Sequence, residues 1–175
     1  MSGDAKTIMA PNRSNSDALD FRPPTLEDGA ALWRIAAETQ VLDLNSSYAY
    51  LLWCRDFARS SVVTVVDGDP VGFVTGFIRP DQPDTLMVWQ VAVDTKFRGR
   101  GLAKRMLDHL VDRLADESVA WLETTVTPDN QASARLFASF AEARDAELVR
   151  EPAFAAELFP DGHETEVLFR IGPLA

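Results

Sequence analysis

The residues best suited to chemistry run from Val91 to Ala103 and read Val-Ala-Val-Asp-Thr-Lys-Phe-Arg-Gly-Arg-Gly-Leu-Ala. An apolar run ends there, a basic glycine-bearing turn follows, and a helical pattern begins. The first N–H groups of a helix have no intrahelical partner and carry partial positive charge, so a helix start can hold phosphate. Gly99 and Gly101 lack the Cβ atoms that would keep a pyrophosphate from the backbone. Arg98 and Arg100 can add charge-assisted hydrogen bonds. The same pattern also fits a helix that merely opens after a glycine turn with solvated arginines. A Walker loop is excluded, because no Lys-Ser/Thr pair trails the glycines. A dinucleotide fold is excluded too, since no Gly-x-Gly-x-x-Gly follows the first strand.

The elements that position this loop read as one mixed α/β unit. Residues 1–17 are polar and aperiodic and read as a disordered tail, with a single domain over 18–175. A short strand through Leu19 and Phe21 precedes a helix whose start is marked by Thr25 and Asp28, spaced as a capping box. A second helix is predicted over about 46–58. The β-branched runs 61–66 and 71–78, separated by Asp67-Gly68-Asp69-Pro70, predict a hairpin. A loop over 79–84 then leads to a strand over 86–93. Leu102, Ala103, Met106, Leu107, Leu110, Val111 and Leu114 recur as the apolar stripe of a helix over 101–116. A strand over 119–126, a helix from Asn130 carrying Leu136, Phe137 and Phe140, and strands near 147–150 and 166–171 complete the order. The expected fold class is α/β (α+β), a mixed sheet with helices on it, because the hairpin rules out an all-parallel sheet.

Composition narrows the function classes. The chain has 175 residues, 46% hydrophobic and 25% charged, as in an ordinary soluble domain. A net charge of −10 argues against nonspecific nucleic-acid binding and is compatible with a cationic substrate such as an amine, although solubility alone accounts for it. Cys54 is the only cysteine, so no intramolecular disulfide forms and a reducing cytoplasm suits the chain. His109, His163 and Cys54 are too few and too scattered for zinc, and no metal is expected. No apolar run approaches the roughly 20 residues of a membrane helix, and the N-terminus lacks the order of a secretory signal.

Arg98-x-x-Gly101-x-Ala103 after an apolar strand resembles the acyl-CoA motif of the GNAT family of N-acetyltransferases. Val126-Thr127-Pro128-Asp129-Asn130, with Leu136-Phe137 beyond it, is similar to that family's second motif. The likeness spans about residues 19–172. It implies a mostly antiparallel sheet flanked by helices, an acetyl-CoA co-substrate and a homodimer. It implies that the backbone of Val91, Ala92 and Val93 pairs with pantetheine like an added strand. It further implies that Arg98, Gly99, Arg100, Gly101, Leu102 and Ala103 take the pyrophosphate, and that Asn130 contacts the pantetheine arm. An N–H near Val91 would polarise the thioester carbonyl. Phe137 stands where many members carry a Tyr that protonates the leaving thiolate, and a phenyl ring donates no proton. A thiol pKa near 8.5 keeps unassisted departure, or protonation by water, feasible.

Five further segments, at 42–50, 80–86, 88–93, 123–128 and 159–164, resemble the branch of that family that acetylates small diamino acids such as L-2,4-diaminobutyrate, the step toward the osmoprotectant ectoine. A diamine bearing a carboxylate needs a pocket of acids and hydroxyls, which points to Asp43, Tyr48, Trp89, Glu123 and Glu166. Trp89 would lie beside the thioester. Glu123, between apolar neighbours, or His163, titrating near working pH, would be the general base. Each has a simpler account: helix capping for Asp43, core packing for Trp89, an outward strand position for Glu123, a solvated loop or strand end for His163 and Glu166. Two other functions remain open, an acetyltransferase of another small amine and a noncatalytic acyl-CoA sensor.

Overall fold

The computed structural model describes residues 19–40 and 42–174, and the tail expected over 1–17 lies outside them. Seven strands form one sheet in the order β1-β2-β3-β4-β5-β7-β6. They are β1 (Leu19–Arg22), β2 (Val62–Val66), β3 (Asp69–Arg79), β4 (Gln82–Val93), β5 (Trp121–Val126), β6 (Glu147–Phe154) and β7 (Glu166–Gly172). Every neighbouring pair is antiparallel except β4 and β5. Among the described residues, four α-helices cover the sheet: α1 (Gly29–Thr39), α2 (Ser47–Asp56), α3 (Leu102–Leu114) and α4 (Gln131–Ala143). No helix among the described residues is long and apolar enough to cross a membrane.

Two apolar layers sandwich the sheet. On one face Leu32 and Ile35 of α1 and Tyr50 and Cys54 of α2 pack against Val63, Phe73 and Ala92. On the other, the α3 stripe and Phe137 and Phe140 of α4 pack against Val62, Val74, Leu86, Val88 and Leu122. Six of the seven stripe residues predicted for α3 are buried, and Ala103 is only half-buried.

Several boundaries differ from the sequence reading: β3 begins at Asp69 inside the expected turn, β5 begins at Trp121 rather than 119, α2 ends at Asp56, and two strands run longer than expected. The segment expected as a loop over 79–84 holds the irregular start of β4, since Arg79 pairs with Gln82 while Ile78 pairs with Leu86. Strand β6 continues through Pro152 to Phe154. It lies at the sheet edge, where a proline needs no ladder partner on its outer side.

The feature that positions the site is a bulge in the middle of β4. Thr75 pairs with Gln90 and Gly76 with Val88, so Trp89 is an extra residue opposite β3. Side chains of a regular strand alternate faces. Here Leu86 and Val88 pack toward α3 and α4, yet so do Val91 and Val93, while Ala92 packs toward α1 and α2. The bulge has shifted the alternation by one residue. Opposite it, the Gly76 backbone is held by two serine side chains. Ser60 Oγ donates to Gly76 O at 2.7 Å, and Gly76 N donates to Ser61 Oγ at 3.2 Å.

β4 and β5 also part company. They pair only from Thr85 to Met87 against Trp121 to Glu123. Beyond that point the β5-facing edge of β4 has no strand partner, and a cleft opens between the two strands.

A Cβ at Gly76 would lie 2.8 Å from Met87 O and 3.0 Å from Ser60 O, both rigid backbone atoms. Gly76→Ala is therefore expected to strain the bulge and destabilise the fold by about 1–3 kcal/mol, the usual cost of overpacking. Urea unfolding of the variant measures this, and an unchanged midpoint would show that the backbone yields freely there.

Candidate active site

The loop after β4 is built around Asp94. Its Oδ1 accepts from Lys96 N at 3.0 Å, which tightens a short turn over Thr95–Phe97, and Arg34 of α1 reaches its Oδ2 at 3.1 Å. Gly99 and Gly101 follow with φ of 76° and 70°, left-handed values that a side chain rarely tolerates. No atom lies within 4 Å of where either Cβ would stand, so the backbone there faces open space. Helix α3 starts at Leu102 and aims its unpaired N–H groups at that space. The Arg98 guanidinium is turned back onto Val93 O at 3.3 Å, and that of Arg100 lies 4.9 Å from the Phe97 ring centre. A cavity of about 380 Å³ beside this loop touches Val91, Ala92, Val93, Arg98, Gly99 and Gly101.

A second cavity, of about 540 Å³, fills the cleft between β4 and β5. It shares Leu42, Val91, Asn130 and Ser133 with the first, so the two form one channel. Asn130 caps α4, its Oδ1 accepting from Ser133 N at 3.0 Å. Phe137, one turn further along the same face, closes the cleft with its ring buried.

The far end of the channel is acidic. The loop before α2 brings Asp43, the segment before β7 brings His163, and the first residue of β7 brings Glu166, to one point. His163 Nε2 is 3.1 Å from Asp43 Oδ2 and 3.5 Å from Glu166 Oε1. His163 Nδ1 donates to Glu164 O at 2.8 Å, which fixes the tautomer, because a carbonyl only accepts. That hydrogen bond, reinforced by the Asp43 and Glu166 carboxylates, raises the imidazole above its ordinary pKa of 6.5. Burial likewise raises the Glu166 carboxyl above the usual carboxylate range. Glu166 Oε2 is buried without a hydrogen-bond partner. Such an oxygen is costly unless a donor arrives, and an ammonium group supplies one. Trp89, the bulged residue, lines the same cavity and stacks on Trp53 of α2 at 4.7 Å.

Other candidates lie elsewhere. Glu123 is buried, at 1% exposure, and touches neither cavity. Its carboxylate is gripped by Arg79 at 2.8 Å and Arg170 at 2.7 Å, at the last paired position before β4 and β5 diverge. Tyr48, 65% exposed on the first turn of α2, does not reach the channel either. Burial pushes the Cys54 thiol up to about 11, far from a nucleophile's range. Among the described residues no group of three or more His, Cys, Asp and Glu is placed to hold a metal ion.

One residue that the sequence reading passed over is Gln90. It is buried, accepts from Tyr50 Oη at 3.1 Å, and donates through Nε2 to Asp43 O at 3.0 Å. An amide inside the apolar run 88–93 was the available signal, but regular alternation would have turned it toward α3 and α4.

Known proteins are similar to this chain in sequence and in fold. The profile of the acetyltransferase (GNAT) family matches residues 29–141. An L-2,4-diaminobutyric acid acetyltransferase of Streptomyces coelicolor is 64% identical over 161 residues, covering 90% of this chain and 94% of its own. One from Marinococcus halophilus is 46% identical over 169 residues, covering 96% of this chain and 98% of its own. Among solved structures, the diaminobutyrate acetyltransferase EctA from Paenibacillus lautus, in complex with its substrate L-2,4-diaminobutyric acid and coenzyme A, is 42% identical. It matches with a TM-score of 0.85 over 90% of this chain and 96% of its own. With the family profile spanning most of the chain, and a glycine turn and a split between β4 and β5 beneath it, this protein belongs to the acetyltransferase (GNAT) family.

Proposed function

We propose that this chain transfers the acetyl group of acetyl-CoA to the γ-amine of L-2,4-diaminobutyrate, giving the N4-acetyl compound used in ectoine synthesis. The observation that carries this reading is the polarity of one continuous channel. A basic helix start lies at one end, and a buried carboxylate oxygen without a partner lies at the other. Identity of 64% to an L-2,4-diaminobutyric acid acetyltransferase supports the choice of amine.

In this reading the pyrophosphate rests on the turn from Arg98 to Ala103, against the free N–H groups of α3. Pantetheine lies along the unpartnered edge of β4 at Val91 to Val93, with Asn130 on its other side. The thioester enters the cleft near Trp89, and an N–H of β4 polarises its carbonyl. Asp43 and Glu166 hold the α-ammonium and keep that nitrogen protonated and non-nucleophilic. The His163 Nδ1 proton is committed to Glu164 O, so neutral His163 presents Nε2 as the base. Nε2 takes one proton from the γ-ammonium, and the amine lone pair forms the C–N bond as the carbonyl electrons move to oxygen. The intermediate then breaks its C–S bond. The second amine proton leaves as the amide forms and passes through water to the thiolate, because Phe137 has none to give.

Glu123 serves this scheme as an anchor between two arginines rather than as the base, and Tyr48 has no contact with the reacting groups. A cytoplasmic homodimer completes the reading; family likeness supports the dimer, and the lone buried Cys54 suits a reducing compartment.

Incubation with acetyl-CoA and diaminobutyrate tests the assignment directly. The γ-amine reaches the thioester by positioning, not by basicity, so N4-acetyl-diaminobutyrate should dominate. Ornithine, one methylene longer, should turn over clearly less well. NMR of the product reads this, and a mainly α-acetylated product or equal use of ornithine would sink the substrate assignment.

Gly101→Val places a branched side chain at a left-handed position where phosphate must approach, so acetyl-CoA affinity should fall at least about tenfold. Calorimetric titration checks it, and unaltered affinity would take the loop out of the site.

The base assignment makes a pH prediction. A base must be unprotonated, and the folded His163 holds its proton to a pH above the ordinary 6.5. The acidic limb of kcat/KM should therefore lie above pH 6.5 and fall away as pH drops through the raised value. His163→Asn should abolish that limb and lower the maximal rate by about 10²–10⁴. An unchanged profile in the variant would move the base elsewhere.

A further inference from the structure

We infer that Gln90 is a positioning residue for acceptor selectivity: with Tyr50 it ties the Asp43 loop to the central sheet. The inference rests on the acetyltransferase reading above and concerns how its amine pocket is held in shape.

Asp43 lies between α1 and α2 in a stretch without regular structure, and its side chain is 82% exposed. A carboxylate so placed holds a cation at a defined distance only when its backbone is fixed. Two of the loop's contacts are local. Asn45 Nδ2 donates to Asp43 O at 3.2 Å, and Leu42 N donates to Thr39 Oγ1 at 3.3 Å. Asn45 lies on the same connection and Thr39 at the end of α1, so both partners are close to Asp43 along the chain. The Gln90 contact is different in kind, because it joins Asp43 O to β4 across 47 positions of sequence.

The direction of the relay is fixed by chemistry. Asp43 O is a carbonyl and can only accept, so the Gln90 NH₂ must face it. Gln90 Oε1 then faces Tyr50, whose hydroxyl must donate. Neither amide orientation nor hydroxyl direction is left free. Tyr50 itself is fully buried in the layer between α2 and the sheet. The chain of contacts therefore runs from a rigid core residue to the backbone carbonyl of Asp43, while His163 Nε2 meets the carboxylate itself.

A purely structural role accounts poorly for these residue types. A buried amide and phenol must satisfy each other merely to break even, where a leucine and a phenylalanine would pack at no polar cost. The bulge at Trp89 is what turns Gln90 toward Tyr50, so the same irregularity places Trp89 in the cavity and fixes the loop opposite it. On the cavity side, Asp43 meets His163 and faces Glu166. Holding Asp43 sets the spacing between the ammonium-binding end and the thioester, which is the spacing that separates diaminobutyrate from its homologues.

Three variants test this. In Gln90→Leu the anchor is lost, and KM for diaminobutyrate should rise about 10- to 100-fold, the scale of a displacement near 1 Å. KM for acetyl-CoA should stay within about twofold, and the preference over ornithine should shrink by a similar factor. Gln90→Glu keeps an acceptor for Tyr50 but offers no donor to Asp43 O, so it should reproduce the Leu phenotype. Tyr50→Phe leaves the Gln90 to Asp43 contact in place while removing the hydroxyl's contacts to Gln90 and to Asn45 of the loop, and should raise KM less than Gln90→Leu does. Unchanged KM and unchanged selectivity in Gln90→Leu would overturn the inference. So would a parallel loss of acetyl-CoA affinity by calorimetry in both Gln90 variants, since the defect would then be global. Wild-type turnover is measured first, over a panel of amines. If diaminobutyrate is not used, the substrate assignment fails, and the anchor is judged by the selectivity of the Gln90 variants among the amines that are.

Discussion

The site depends on β4 and β5 ceasing to pair after Met87 and Glu123. A continuous ladder would fill that space with hydrogen bonds between strands. Because it stops, one edge of β4 keeps backbone groups that can pair with a ligand in the same geometry as a strand. The parting is stabilised at its apex. Glu123 bridges Arg79 of β3 and Arg170 of β7, tying together the strands on either side of the split. Such a buried cluster is costly to break, since removing the carboxylate would leave two guanidinium groups facing each other. The bulge at Trp89 lies just beyond, and its phase shift lets Trp89 and Gln90 both line the cleft while both contact α2.

Electrostatics then divides the channel. The chain carries a net charge of −10, yet the turn before α3 holds Lys96, Arg98 and Arg100 beside a helix start. Both local charge and helix dipole favour an anion there. Across the cleft, Asp43 and Glu166 converge on His163, and a dication suits them. In the proposed function, a polyanionic coenzyme and a cationic amine would be drawn to opposite ends and meet where neither charge dominates. Before substrate arrives, His163 stands between the two carboxylates as an ammonium group would.

The element order was legible because its signals are local. The apolar stripe of α3, the turn between β2 and β3, and the glycine turn after β4 each follow from a few neighbouring residues, and the structure contains all of them. The family motifs around Arg98 and Asn130 are equally local, and the structure brings both to the lining of one cavity. Less of the acceptor side was legible. Asp43, Trp89, His163 and Glu166 do gather in one cavity, whereas Glu123 and Tyr48 do not. A glutamate flanked by apolar residues looks the same in sequence whether it faces a cavity or two arginines. The arginines at 79 and 170 lie 44 and 47 positions away, and only strand register brings them to Glu123.

What the sequence by itself determined is the secondary structure, the fold class and the phosphate-type turn, because periodicity, β-branched runs and glycine conformational freedom act over a few residues. What the tertiary structure alone decided is the facing of each polar side chain. One extra residue at Trp89 inverts the alternation of β4, sending Gln90 to Tyr50 and Asp43 instead of into the opposite layer. A bulge of that kind arises from how two strands and their covering helices fit, a constraint that no short stretch of sequence contains.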